Sequence, residues 1–217
     1  MIWQCSWSWP TVSFAIALLT AAPAASASNF RTSDITGLGY GDAFPALIDQ
    51  NGRPRTRDDF NGHVTVVDFG FTHCPDLCPT TLSNLAQVLD MLGKERDHVQ
   101  IDFITVDPER DTSGVLREYL SGFGPNFVGL TGTPASIRKA AQTFKVFFQK
   151  RPLPGGDYTM DHSALIYILD PQGRVRLMSL DNRAPADIAH DILLLLNDHG
   201  GSTKLSGNSN RESGKTD

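Results

Sequence analysis

At 217 residues, with 40% hydrophobic and 20% charged residues, the chain has the composition of a globular protein with one sizeable core, and nothing in it suits a fibre, a coiled coil or a multi-span membrane protein. Its 19 Lys and Arg and 24 Asp and Glu give a formal net charge of −5, and all of them lie beyond Ala27. Such a mildly acidic domain offers no basic stripe to nucleic acid.

The N-terminus reads as an address. In "TVSFAIALLTAAPAASASNF" a short apolar run from Val12 to Ala22 is followed by Ala25 and Ala27 in an A-x-A pattern, which predicts a signal peptide over residues 1–27 with cleavage after Ala27. The stretch before the run has no Lys or Arg, so an uncleaved anchor is the alternative, although Pro23 and the serines interrupt the run short of the roughly 20 apolar residues a span needs. Either reading exports the bulk of the chain, to the periplasm or an equivalent compartment. Cys5 precedes the apolar run and leaves with a cleaved leader.

Residues 28–42 are polar and Gly-rich and read as a linker, an arm without strand partners. A domain over 43–199 follows. "DAFPALIDQNGRPRT" predicts an N-terminal hairpin around Asn51 and Gly52. "HVTVVDFGF", His63 to Phe71, is nearly continuous in apolar character, as expected of a strand covered on both faces. Leu82, Leu85, Ala86, Leu89 and Leu92 then mark an amphipathic helix ending near Gly93. "VQIDFITV", residues 99–106, is a second strand, and Val115, Leu116, Tyr119, Leu120 and Phe123 mark a helix capped by Asp111 or Thr112. Thr133 and Pro134 are a cap and first-turn proline opening a third helix. "ALIYILDPQGRVRLMSL" reads as two strands joined at Pro171 to Gly173, and Pro185 opens a last helix that stops at Gly200 and Gly201. The tail over 200–217 is nearly free of apolar residues and is expected to be disordered. The fold class is therefore α/β, a mixed sheet flanked by helices, with an N-terminal hairpin.

Cys74 and Cys78, in "FTHCPDLCPTT", are the two cysteines left after cleavage. A bridge closing so short a loop restricts the unfolded chain little, so the pair is a poor staple and a better reactive site. Pro79 disfavours helical backbone at Cys78, which predicts a helix starting at Pro79 with Cys78 as its cap and a loop from Cys74 to Leu77. Such a strand-to-helix crevice is where α/β proteins place ligands, and the free N–H groups of the first helical turn favour a thiolate. Two thiolates are soft ligands that select Cu(I), zinc or iron–sulfur chemistry. Four protein thiolates are lacking for a cluster, and structural zinc needs four donors, with a carboxylate such as Asp161 as an extra ligand. A trigonal site of two Cys and one His suits Cu(I). Of the six histidines, His73 adjoins Cys74 but points away if the backbone there is extended, while His98, His190 and His199 read as surface residues and His63 lies at the far end of its strand. His162 stands at the head of a core strand after a Gly-rich loop, and the residues alone leave it either a ligand or a satisfied strand-end histidine.

"DFGFTHCPDLCPTTLSNL", "TVDPERDT", "VGLTGT" and "DYTMDHSALIYILDPQGR" resemble, in order and spacing, the Sco/SenC family of copper-handling proteins, from about Ala43 to His199. The resemblance implies a thioredoxin-like fold and a site for one Cu(I) or Cu(II) ion made by Cys74, Cys78 and His162. It also implies a role in assembling the binuclear copper-A centre of cytochrome c oxidase, as chaperone, as reductase of the target's thiols, or both. The implied partner is the copper-A domain of cytochrome c oxidase subunit II, with other periplasmic copper chaperones or thiol reductases beside it. The N-terminus looks more like a cleaved signal than the membrane anchor many members carry. The competing reading is a thiol–disulfide oxidoreductase in which Cys74 and Cys78 attack and resolve, although a thioredoxin motif has two intervening residues where this one has three. A peroxiredoxin would need Thr or Ser where Phe71 stands. Asp107, Asp157 and Asp161 read as loop-orienting or capping carboxylates, and Asp76 as a loop residue.

Overall fold

The computed structural model describes residues 29–206; the expected leader, with Cys5, and residues 207–217 lie outside them. The chain runs β1 (Ser33–Asp34), β2 (Leu47–Asp49), β3 (Pro54–Arg55), β4 (Val64–Gly70), α1 (Leu77–Leu92), β5 (Val99–Thr105), α2 (Ser113–Leu120), β6 (Phe127–Thr131), α3 (Pro134–Thr143), β7 (Phe148–Pro152), β8 (Tyr158–His162), β9 (Leu165–Leu169), β10 (Val175–Leu180) and α4 (Pro185–Ser206).

Every residue of β4 is buried, as its apolar run requires. It lies inside an eight-stranded sheet ordered β1-β10-β9-β4-β5-β6-β2-β3, parallel to β5 and antiparallel to β9. Successive side chains of β4 leave by opposite faces. Phe69 meets Phe144, at the end of α3, with ring centroids 5.5 Å apart, and Phe144 meets Tyr167 of β9 at 5.0 Å. Gly70 faces the other layer, where α1 and α4 pack together and α2 lies on β6. The expected mixed sheet flanked by helices is thus present, and the hairpin of β2 and β3 turns at Asn51 and Gly52, with Gly52 at φ 79°. No helix among the described residues is long and apolar enough to cross a membrane.

The structure corrects several expectations. The arm expected as a linker is an edge strand: β1 pairs with β10, and buried Asp191 on α4 accepts the N–H groups of Arg31 at 2.9 Å and Thr32 at 2.8 Å. Polar residues suffice there because the contact is made by backbone groups and one carboxylate. Helix α1 starts at Leu77 rather than Pro79. Its first hydrogen bond runs from Thr80 N–H to Asp76 C=O at 3.3 Å, so the missing N–H of Pro79 falls in the first turn, where no helical bond needs it. Helix α4 continues through Gly200 and Gly201 to Ser206 rather than stopping at the glycines; two glycines cost about 1 kcal/mol each against Ala, too little to break a helix already propagating, and the rest of the expected tail lies outside the described residues. Strand β6, and the separate hairpin of β7 and β8, were not legible in the periodicity.

Two of the carboxyls buried in this sheet are held well above the ordinary range. Burial raises Asp68 to about 7, with the charge of Asp181 adding to the effect, and burial also raises Asp102 to about 7 despite a 2.7 Å hydrogen bond from Gln100. Because the folded values lie above the ordinary one, this contribution to stability is complete below about pH 4 and is lost as pH rises through 7. Urea unfolding should therefore show a loss between pH 5 and pH 8 on the order of 3 kcal/mol for each carboxyl. Asp68→Asn and Asp102→Asn should each flatten that slope, and a slope equal to the wild-type one would refute the account.

Candidate metal centre

The strand β4 carries the chain to Phe71, and the loop after it holds Cys74 before α1 begins. Cys78 lies in the first turn of α1 and is 3% exposed. Its depth depends on Gly70: a Cβ there would stand 2.9 Å from Cys78 Sγ and 2.6 Å from Phe103 Cε2, closer than side chains tolerate. Cys74 is half-buried, and its sulfur accepts the Cys78 N–H at 3.4 Å. Both are free thiols. The helix terminus was expected to favour a thiolate, but burial pushes the Cys78 thiol up. A hydrogen bond from the Phe71 backbone opposes this, and the charges of Asp68 and Cys74 reinforce it.

The structure brings His162, 84 residues away in sequence, to this pair: its Nε2 is 3.8 Å from Cys78 Sγ. Its Nδ1 lies 3.0 Å from the Ser163 carbonyl, and a carbonyl can only accept, so the proton is on Nδ1 and the Nε2 lone pair faces the sulfur. The edge of the Phe71–His162 ring pair, with centroids 6.0 Å apart, holds the imidazole from the side. The trio is not yet closed: among the described residues no three His, Cys, Asp or Glu side chains are already gathered for a metal ion. Cys74 Sγ is engaged by the Cys78 N–H at the helix N-terminus. A 430 Å³ cleft opens beside it, lined by Phe71, Cys74, Leu77, Met160 and His162 among others.

The remaining histidines stay apart from the pair. His73 is exposed, with Nδ1 3.1 Å from Thr72 Oγ1, and His190 bonds Asp191 at 2.9 Å. His63 and His98 are exposed, and the His199 side chain is outside the described ones. Asp161 is drawn to Arg151 at 3.1 Å, and Asp76 caps α1 without a side-chain bond.

Arg110, Lys150 and Tyr158, which sequence reasoning missed, hold the two halves of the centre together with Asp107 and Asp111, which it had read only as loop-orienting or capping carboxylates. The hairpin carrying His162 is not paired to the main sheet. It is latched to the loop after β5: Tyr158 O–H donates to Asp107 at 2.9 Å, Arg110 Nε donates to Asp107 at 2.5 Å, and the Arg110 guanidinium stacks 3.7 Å over the Tyr158 ring. Lys150 covers that ring at 3.8 Å and pairs with Glu109 at 2.8 Å. From the same loop, fully buried Asp111 accepts from Thr72 N–H at 3.0 Å, Thr72 Oγ1 at 2.6 Å and Thr105 Oγ1 at 2.6 Å, which fixes the segment just before Cys74. "TVDPERDT" therefore ties the cysteine loop to the histidine hairpin. A glycine closing an apolar strand was a usable signal for close approach at Gly70; nothing local marked Tyr158.

Compared with known proteins, residues 39–197 match the SCO1/SenC family. The chain belongs to that family. An SCO2-like protein of Rickettsia felis is 42% identical over 132 residues, 59% of this chain and 63% of the relative. The mitochondrial SCO2 homolog of Danio rerio is 44% identical over 139 residues, 63% of this chain and 49% of the relative. The match thus spans about half to two thirds of these SCO relatives. Among solved structures, Bradyrhizobium japonicum ScoI with copper bound is 45% identical with a TM-score of 0.65, covering 69% of this chain and 96% of that one. The SCO1/SenC domain here has the thioredoxin-like fold of those neighbours, as the resemblance implied.

The unequal burial of the two sulfurs gives a direct check on this SCO1/SenC site. In the reduced, metal-free protein, iodoacetamide should modify Cys74 at least about tenfold faster than Cys78, whose thiol is buried and held protonated. Equal rates by peptide mass spectrometry would contradict the geometry.

Proposed function

We propose that the protein is an exported copper chaperone that holds one copper ion through Cys74, Cys78 and His162 and delivers it to the copper-A domain of cytochrome c oxidase subunit II. The observation that carries this reading is the free Nε2 lone pair of His162 facing Cys78 Sγ at 3.8 Å, with Nδ1 already committed to Ser163. An imidazole oriented through its other nitrogen is the usual form of a histidine ligand. Two sulfurs and one imidazole nitrogen are a soft, low-coordinate set that suits copper. A fourth donor for zinc is not supplied by Asp161, which pairs with Arg151 at 3.1 Å.

Copper is the cargo here, and the chain's own residues set how it is taken and released. His162 stays oriented by Ser163 and Phe71. Cys78 gives up its thiol proton on binding, since the thiolate is the ligand. Cys74 exchanges its contact with the Cys78 N–H for the metal, and as the more accessible sulfur it is the one an incoming acceptor thiol can displace. The leader expected over residues 1–27 supports export, and with it a site in the compartment where the copper-A domain is assembled.

Cys74→Ser and Cys78→Ser should each weaken copper binding by about 100-fold or more, as should His162→Ala, and Tyr158→Phe should weaken it by about 10-fold by loosening the hairpin. Competition titration with a chelator of known affinity reads these values; unchanged stoichiometry and affinity in His162→Ala would sink the third ligand. A second reading, reduction of the acceptor's disulfide by the Cys74/Cys78 pair, has the free thiols in its favour. Mixing the copper-loaded form with the reduced copper-A domain, and the metal-free reduced form with the oxidised one, separates the two. Metal transfer in the first mixture supports the chaperone, and disulfide reduction in the second without transfer in the first supports the reductase.

A further inference from the structure

The hairpin that carries His162 is a separate two-stranded sheet, so β7 and β8 each have one edge without a ladder partner among the described residues. The register says which backbone groups lie there. Leu153 N–H donates to Asp157 C=O at 2.8 Å, and Ser163 N–H to Phe147 C=O at 2.9 Å. The pairs between them that exchange bonds are therefore Arg151 with Thr159 and Gln149 with Asp161. The N–H and C=O groups of Tyr158, Met160 and His162 consequently leave by the outer edge of β8, and those of Phe148, Lys150 and Pro152 by the outer edge of β7.

These edges differ. That of β7 carries a proline, which has no N–H, and the charged Lys150, two devices that discourage strand addition. On β8, Tyr158 C=O accepts from Arg110 Nη1 at 3.0 Å, whereas the backbone groups of Met160 and His162 have no such partner among the described residues. Unpaired N–H and C=O groups along a strand edge are a template for an added strand. Met160 and His162 both line the 430 Å³ cleft beside Cys74. Four consecutive residues, Thr159 to His162, line it. Because consecutive strand side chains alternate faces, such a lining means that the cleft runs along the strand's edge. Leu77, 55% exposed, stands on the opposite wall.

We infer that this cleft receives an extended segment of the acceptor protein, which adds as a short strand to the β8 edge and brings its metal-binding side chains to Cys74 and His162. The inference rests on the chaperone reading and names how the acceptor docks. An extended chain is the occupant that fits, because it alone presents N–H and C=O groups in the alternation that Met160 and His162 leave open; a helix has already used its own. Residues opposite Met160 and His162 project on the face of the His162 ring, and the residue between them projects with Asp161 toward solvent. Arg110, capping Tyr158, ends the added strand on that side.

Backbone amide exchange, followed by NMR on the full chain loaded with Cu(I), tests this with the reduced copper-A domain of subunit II as probe. Met160 and His162 N–H should exchange about tenfold more slowly in the complex, with Lys150 N–H on the opposite edge unchanged, and Met160→Pro, which removes an edge N–H without removing a ladder bond to β7, should slow copper transfer about tenfold. Transfer with both amides exchanging as in the free protein overturns the docking and leaves the chaperone reading standing. Absence of both complex and transfer overturns the two together.

Discussion

A hydrogen in place of a side chain at Gly70 sets how deep Cys78 sits, and the behaviour of the whole centre follows from that depth. The sulfur packs where a Cβ would stand 2.9 Å away, under Phe103 and at the end of a strand buried on both faces. A thiol in such surroundings stays protonated and shielded from incoming thiols. Its partner Cys74, on the loop, is half-buried against the core and accepts a helix N–H at 3.4 Å. The pair is thus asymmetric by construction: one sulfur belongs to the core, the other to the surface.

The histidine side of the centre belongs to a different piece of sheet. His162 closes β8, in a hairpin that shares no ladder with the main sheet, and its position depends on side chains from the loop after β5. Asp107, Arg110 and Tyr158 hold the hairpin, while Asp111 in the same loop holds Thr72 ahead of Cys74. One short loop therefore sets the distance between imidazole and sulfur. Under the proposed chaperone role this arrangement is serviceable: His162 and Cys78 are placed by packing and Cys74 sits on the loop, so capture and release need no unfolding of the core.

Much of the fold was legible because it rests on local periodicity. The apolar run of β4, the three- and four-residue spacing of α1, the Thr133–Pro134 start of α3 and the turn at Asn51 and Gly52 each carry their own signal. What was not legible lacked such a signal. Strand β6 is five residues long and buried, too short to show a period, and β7 is mostly exposed, with no apolar alternation. The edge strand β1 is polar because its partners are backbone groups and Asp191. The start of α1 was misplaced because Pro79 obeys a general preference for the first helical position, while the first turn as a whole tolerates it.

By itself the sequence determined the chemistry available to this protein: two soft sulfurs at a fixed short spacing, a histidine among acidic neighbours, and motifs whose order identifies the SCO1/SenC family. These are properties of residue type and local spacing, and they do not depend on how distant segments meet. Only the tertiary structure decided how His162, already implied by the resemblance, meets the Cys78 sulfur, which of its nitrogens is free, and which cysteine is buried. Each of those depends on contacts between residues far apart in the chain, such as Cys78 with His162 across 84 positions, and packing rather than propensity sets such contacts.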